Sequence, residues 1–459
     1  MTAVAAARSR AASMVAVLSA GLAACSEPGD EPGVDAGAGV DGAGAAMSTR
    51  YPSDAIRSPL TESVGGRLRV IAAAGATRDD VFAKIGDSHT VSPNLLTCYT
   101  GTAGSSYVID LDGRDHLVPA IARFRGGAIG ATTPFDRQSL AAEIGRTARW
   151  AITGTPSPLA RELAATSAGF AVVAYGSNDM EQGTSHASAL PGFWDAMNQL
   201  LDEVATAGSV AIVVGLPPRT DVATAARWIA TYDAVTRALA EARQLPYVSM
   251  WNATAALPAQ GLAGDGLHHN TYVTGGRAQP CVLTAAGLGF GNNQRNLHYL
   301  EALAGAAAIV DGGAAPDAEA LPPVVGRGTA ADPFVIDTLP FTHTFDTGGG
   351  GRGLDAYPGC DSGQDESGPE IVYHLALPAA AGLRVVVLDR GGVDVDVHVL
   401  DGGGGCVERA DRLVDRTVPA GEHAIVVDSF VSGGFEHSGA YTLVVLACEP
   451  GDPDCEAGP

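Results

Sequence analysis

The chain has 459 residues, 46% of them hydrophobic and 17% charged, with a formal net charge of −23. That is more chain than one core usually absorbs, so at least two folded units are expected, and the composition excludes a wholly disordered or fibrous protein. The acidic balance, with Lys84 the sole lysine, also excludes sequence-independent binding to nucleic acid or anionic lipid.

At the N-terminus, Arg8 and Arg10 precede the apolar run 11–24, the layout of an export signal and too short to span a bilayer stably. The run ends Leu22-Ala23-Ala24-Cys25, and small residues before a cysteine resemble the lipobox of bacterial lipoproteins. The resemblance implies that residues 1–25 are a signal peptide and that Cys25 carries lipid, which makes a membrane the partner of an exported cell-envelope lipoprotein. A plain secretory signal with an incidental cysteine is the alternative. Residues 26–60 read as a flexible tether, because 26–47 are rich in Gly, Ala, Asp and Pro without an apolar period. With Cys25 set aside, six cysteines remain, an even number that favours disulfides in an exported chain. Grouping them by module pairs Cys98 with Cys281, Cys360 with Cys406 and Cys448 with Cys455, although spacing alone leaves other connectivities open. No Cys/His cluster has zinc spacing, so neither a metal nor another cofactor is expected.

Residues 61–311 alternate short apolar runs with longer helical stretches, the pattern of a parallel sheet covered by helices in a three-layer α/β/α domain. The expected strands are 81–85, 107–111, 170–174, 210–215 and 247–250, and helical spacing is read over 139–150, 192–207 and 222–243.

Three motifs in this region carry chemistry. Gly86-Asp87-Ser88 follows the first strand, where a serine meets N–H groups that favour a developing anion. Gly176-Ser177-Asn178-Asp179 follows the strand 170–174 at the same sheet edge, and the Asn178 amide is a donor suited to an oxyanion. In Asp265-Gly266-Leu267-His268-His269, an aspartate three residues before a histidine can accept a bond from the imidazole and fix its tautomer. Taken singly, each motif is an ordinary turn or cap, and Asp265, His268 and His269 also read as metal ligands, though too few for one ion. Together, in this order, they resemble the SGNH-hydrolase superfamily and its GDSL members. The resemblance implies the flavodoxin-like SGNH arrangement, a serine esterase with no cofactor, and a small-molecule or glycan ester as substrate. It implies Ser88 as nucleophile, His268 as general base, Asp265 as its partner, and Asn178 with the Ser88 N–H as oxyanion donors. For the family's remaining glycine donor, Gly145 matches best, with Gly130 and Gly127 as rivals. His89, beside the nucleophile, reads as a packing or capping residue, and Arg219 as either a substrate contact or a salt-bridge partner. A non-catalytic surface-binding protein on the same framework is the alternative.

A Gly/Ala/Pro-rich linker, 312–330, leads into a segment of period two with strands at 371–377, 383–389, 393–400, 423–429 and 440–446. Residues 331–447 therefore read as an antiparallel β-sandwich, followed by a tail, 448–459. This part is the acidic module, since residues 316–459 hold 24 Asp/Glu against 7 Arg. It resembles the bacterial pre-peptidase C-terminal type. Alternation places Asp394, Asp396 and His398 on one strand face, read as an exposed acidic surface, with calcium near Asp394, Asp396 and Asp401 as the sharper alternative.

Overall fold

In the computed structural model, which describes residues 48–101, 107–360, 363–449 and 451–456, the strands β1 (Arg78–Gly86), β2 (Ala168–Ala174), β3 (Val210–Val214) and β4 (Tyr247–Val248) form a parallel sheet in that order. Their apolar runs are buried on both faces, as a sheet covered by helices requires. The helices are α1 (Glu62–Ala74), α2 (Val118–Gly126), the short α3 (Ala148–Ala151), α4 (Pro158–Thr166), α5 (His186–Thr206), α6 (Ala223–Arg243), α7 (Met250–Thr254) and α8 (Gly291–Val310). Local chemistry starts several of them: Thr61 caps α1, Ser157 caps α4 ahead of a proline, and Ser185 and Ser188 exchange bonds in a capping box on α5. A small hairpin of β5 (Val273–Thr274) and β6 (Arg277–Ala278) lies between α7 and α8.

Two expected elements are corrected. Residues 107–111 join no sheet; Asp110 forms an isolated bridge with Val282 beside the Cys98–Cys281 disulfide, and Val108 and Ile109 stay exposed. With only one short neighbour the run has nothing to bury both of its faces against. Residues 139–150 form one helical turn, α3, because the preceding backbone is spent on β1: Gly86 N–H donates to the Ala141 carbonyl and Glu143 N–H to the Gly86 carbonyl.

The second part of the chain packs two antiparallel sheets face to face. Its strands are β7 (Phe334–Val335), β8 (Phe341–Asp346), β9 (Glu370–Leu377), β10 (Ala381–Asp389), β11 (Val395–Asp401), β12 (Cys406–Ala410), β13 (Leu413–Val418), β14 (Gly421–Ser429) and β17 (Ala440–Ala447), with a side hairpin of β15 (Val431–Ser432) and β16 (Phe435–Glu436). One sheet runs β13-β10-β17-β8, the other β12-β11-β14-β9-β7, with β7 parallel to β9. Val385, Val387, Leu443 and Val445 meet Val395, Val397, Ile425 and Val427 in the core between them. Cys360–Cys406 and Cys448–Cys455 are also disulfides, the latter beside the terminal turn α9 (Pro453–Glu456).

The described residues belong to one compact unit, Ala46–Pro459. The alternate side chains of β10 and β17, Val386, Leu388, Val444 and Leu446, join the core of the α/β part. These strands are thus buried on both faces, which explains why residues 385–388 read Val-Val-Val-Leu without alternation. Polar ties reinforce the contact: Arg237 donates to the Pro340 carbonyl at 3.0 Å, and Arg50 holds Asp337 through two bonds of 2.8 Å. Residues 49–51, assigned to a tether by composition, are buried here, with the Tyr51 hydroxyl donating to the Leu245 carbonyl. The signal segment, Cys25 and the tether up to residue 47 lie outside the described residues.

Candidate active site

β1 and β2 both end at the same edge of the sheet, and their register pairs Gly86 with Ala174, so the two motifs that follow them emerge side by side. Glycine at 86 is a packing requirement: a Cβ there would come within 2.1 Å of Thr90 Oγ1 and 2.5 Å of the Ala174 carbonyl. The third motif reaches the same edge from the loop between α7 and α8. His268 Nε2 stands 2.8 Å from Ser88 Oγ, and His268 Nδ1 stands 2.7 Å from Asp265 Oδ2. Asp265 Oδ1 accepts the N–H groups of Leu267 (3.1 Å) and His268 (3.0 Å), closing the loop into one tight turn. Partial burial pushes the Asp265 carboxyl up, but the bonds from the imidazole and the two N–H groups outweigh it and hold it at about 2. Both side chains are open to water, His268 being 41% and Asp265 52% exposed.

The Asn178 amide nitrogen lies 3.0 Å from Asp87 Oδ2 and 3.1 Å from the Arg146 carbonyl, so both directions of donation are engaged. Among the described residues the N–H groups of Ser88 and Gly145 have no acceptor. Gly145 belongs to the stretch that runs beside Gly86 and ends at the Arg146 carbonyl on Asn178. Its two rivals lie elsewhere. Gly127 packs against the Asp80 carbonyl, and Gly130 sits in the turn 129–132 beside Arg78; both are near the start of β1, about 20 Å of extended strand from Gly86.

Two carboxylates that sequence reading treated as parts of motifs turn out to hold the site's frame. Asp87 is buried, accepts His89 N–H at 3.0 Å and anchors Asn178, and burial pushes its carboxyl up to about 6. Asp179 accepts the N–H groups of Ala148 (2.9 Å) and Gly176 (3.1 Å), fixing both the Asn178 turn and the start of α3. Burial pushes Asp179 up to about 7 despite those bonds. A carboxyl raised from its unfolded value near 4 costs stability increasingly as pH climbs between about 4 and 7. The melting-temperature advantage of wild type over Asp179→Asn is therefore expected to shrink across that window; an advantage that grows with pH contradicts the assignment.

Beneath Ser88, His89 is buried and packs on the rings of His268 (5.1 Å between centroids) and His269 (5.5 Å). Burial pushes the His89 imidazole down to about 3 and lowers His269 as well, so both are neutral packing groups at ordinary pH. The Arg295 guanidinium donates to the His89 carbonyl at 2.7 Å. Its helix, α8, organises the site with buried polar side chains: Asn292 bonds the His269 carbonyl (2.9 Å) and Thr271 (2.7 Å), Asn293 the Gln279 and Val282 carbonyls, and Asn296 the Asn94 and Pro280 carbonyls. Asn292 thus holds the loop carrying Asp265 and His268, and Asn293 and Asn296 hold the segments packed beside it, roles that sequence reading missed. Arg219 is spent on structure, holding Asp221 through two bonds of 2.8 Å and Glu181 at 2.9 Å. A cavity of about 580 Å³ lined by Thr77, Ala164, Asp202 and Glu203 lies at the opposite end of the strands and takes no part in this chemistry.

The model of the GDSL-like lipase/acylhydrolase family matches residues 84–272. No curated protein matches the chain. Among solved structures, a two-domain esterase (CEX) active on acetylated mannans, co-crystallized with mannopentaose, is similar at 13% identity and a TM-score of 0.29, over 83% of this chain and 92% of its own. The pre-peptidase C-terminal domain of a collagenase from Bacillus anthracis is similar at 13% identity and a TM-score of 0.17, over 23% of this chain and 89% of its own.

Proposed function

We propose that the chain is an ester-bond hydrolase, a reading supported by the match of residues 84–272 to the GDSL-like lipase/acylhydrolase family model, with Ser88 its nucleophile, His268 the general base and Asp265 the carboxylate that orients the imidazole. The observation that supports this reading most is the unbroken hydrogen-bond chain from Ser88 Oγ through both nitrogens of His268 to Asp265. Ser88 Oγ attacks the ester carbonyl while His268 Nε2 takes its proton; Asp265 stabilises the resulting imidazolium without itself being protonated. The N–H groups of Ser88 and Gly145 hold the oxyanion, with the Asn178 amide joining as it shares one of its resting bonds. The imidazolium then protonates the leaving alcohol, and water activated by His268 releases the acid and frees Ser88. Removing one such donor typically costs about 10²–10³ in kcat. Because Asn178 starts engaged with Asp87 and Arg146, Asn178→Ala is expected to fall toward the lower end, in kcat with KM little changed; an effect confined to KM contradicts the role.

The substrates proposed are carboxylic esters with a small acyl group, carried as an O-acyl group on a carbohydrate or as a short acyl or lipid ester. The exposure of His268 and Asp265 favours a small acyl group on a bulky alcohol over a long chain needing an apolar tunnel. A series of p-nitrophenyl esters from acetate to palmitate tests this: kcat/KM is expected to fall with chain length, and a preference for the long esters overturns it.

We also infer an exported, lipid-anchored protein. Three disulfides support an extracytoplasmic, oxidising location, and among the described residues no helix is long and apolar enough to cross a membrane. Attachment then rests on Cys25. Cys25→Ala is expected to move the protein from the membrane fraction to the soluble one, and unchanged fractionation refutes the anchor.

A further inference from the structure

The outward face of the five-stranded sheet carries a second cluster of titratable groups. Register sets Asp396 on β11 directly opposite Asp428 on β14, which in turn lies opposite Glu370 on β9. His398 follows Asp396 by two residues on the same face. Sequence reading made this face an exposed acidic surface, but the chain leading into β9 folds over it, laying the Tyr357 ring on that of His398 at 3.6 Å between centroids and bringing in Glu366. Asp396, Asp428, Glu370, Glu366 and His398 are 3%, 0%, 2%, 6% and 0% exposed. At the calcium alternative near Asp401, Asp401 Oδ1 accepts the N–H groups of Gly403 and Gly405 at 2.8 Å each, and Asp396 is paired with Arg409.

Like charges directly opposite in a sheet repel, and burying them without countercharge is costly. Arg409 pairs with Asp396 and lies 3.4 Å from Glu366, but among the described residues no ion pair reaches Asp428 or Glu370. Among the described residues, Asp428 Oδ1 and both ring nitrogens of His398 are buried without a hydrogen-bond partner. The second oxygen of Asp428 accepts the Tyr357 hydroxyl, the kind of outer contact that orients a ligating carboxylate. Glu366, His398 and Asp428 each present a ligand atom, all within 4.8 Å of one another, and His398 Nε2 is 3.9 Å from Glu366 Oε2. Donor atoms around one tetrahedral ion stand about 3–4 Å apart, a small inward adjustment.

We propose that Glu366, His398 and Asp428 bind one divalent transition-metal ion, with zinc the best fit, pinning the chain segment over the sheet to β11 and β14. One imidazole with two carboxylates is borderline ligation that suits zinc, whereas calcium takes six to eight oxygens and makes no use of an imidazole. The role is structural and independent of the ester-hydrolysing site.

The test uses the full chain stripped with a chelator and titrated with Zn²⁺ and with Ca²⁺, read by calorimetry, metal content and melting temperature. One zinc per chain is expected at this site, raising the melting temperature. His398→Ala and Asp428→Asn should each weaken binding at least tenfold, whereas His268→Ala, which alters the imidazole cluster beside Ser88, should retain it. Ester turnover should be the same with and without zinc. Should the variants fail to fold, Co²⁺ bound to the wild-type chain reads the ligands directly: intense tetrahedral absorption is expected. Weak six-coordinate absorption, calcium bound more tightly than zinc, or zinc retained by both variants overturns the proposal.

Discussion

Ser88→Ala is expected to lower kcat/KM for a short p-nitrophenyl ester by about four orders of magnitude or more, and His268→Ala by a similar factor. If the two groups act as one unit through the 2.8 Å contact between Ser88 Oγ and His268 Nε2, as proposed, the double variant should be no worse than either single one. Asp265 is predicted to matter less in rate but in a telling way. One of its oxygens accepts two backbone N–H groups and the other the imidazole, so an asparagine must turn its NH₂ toward a donor whichever way it sits. Asp265→Asn should therefore misplace His268 as well as lose the charge, costing about 10²–10⁴ in kcat. Steady-state kinetics of the four variants checks the set; additive losses from Ser88 and His268 would separate them mechanistically and contradict the shared role.

The second large effect concerns the union of the two parts of the chain. Arg384 on β10 is 1% exposed, yet its guanidinium lies 3.6 Å from the centroid of the Trp228 ring on α6 and donates to Thr231 at 3.0 Å. It also binds Asp415 through bonds of 2.7 and 3.0 Å and Asp452 at 3.0 Å. Arg384→Met keeps much of the volume but takes the partner from Asp452 Oδ2, while Oδ1 of this side chain, 0% exposed, keeps Arg227 at 3.2 Å and the Asp454 N–H at 3.1 Å. Removing one partner of a buried pair typically costs about 3–5 kcal/mol. That loss is expected in urea denaturation of Arg384→Met, with part of it recovered when Asp452→Asn removes the stranded charge too. Arg384→Lys should not restore it, because an ammonium cannot hold a carboxylate through two bonds and stack on Trp228 at once. A variant as stable as wild type would show that apolar packing of Val386, Leu388, Val444 and Leu446 alone joins the parts.

Much of this architecture is legible in the sequence where a single physical signal dominates. β2 and β3 are continuous apolar runs and β1 from Val81 on is one broken only at Lys84, all stopping at glycine-bearing turns, and α5 and α6 keep a helical period over twenty-one residues each. The site is legible for a related reason: Asp265 and His268 are local to one turn, and Ser88 and Asn178 follow neighbouring strands. What escapes is whatever depends on distant partners. Residues 139–150 have helical spacing, but their backbone pairs with Gly86, a contact no local pattern reveals. Asn292, Asn293 and Asn296 on α8 look like surface residues until the loops they hold are in place. The face bearing Asp396 and His398 reads as exposed because alternation reports which residues share a side, not what lies over them.

The role of Ser88 is tested most directly by the intact mass and peptide map of the protein after exposure to a fluorophosphonate, which captures an activated serine. A single adduct is expected on the peptide containing Ser88, formed slowly or not at all in His268→Ala and absent from Ser88→Ala. An adduct on another serine, or ester turnover that survives in Ser88→Ala, would contradict that role.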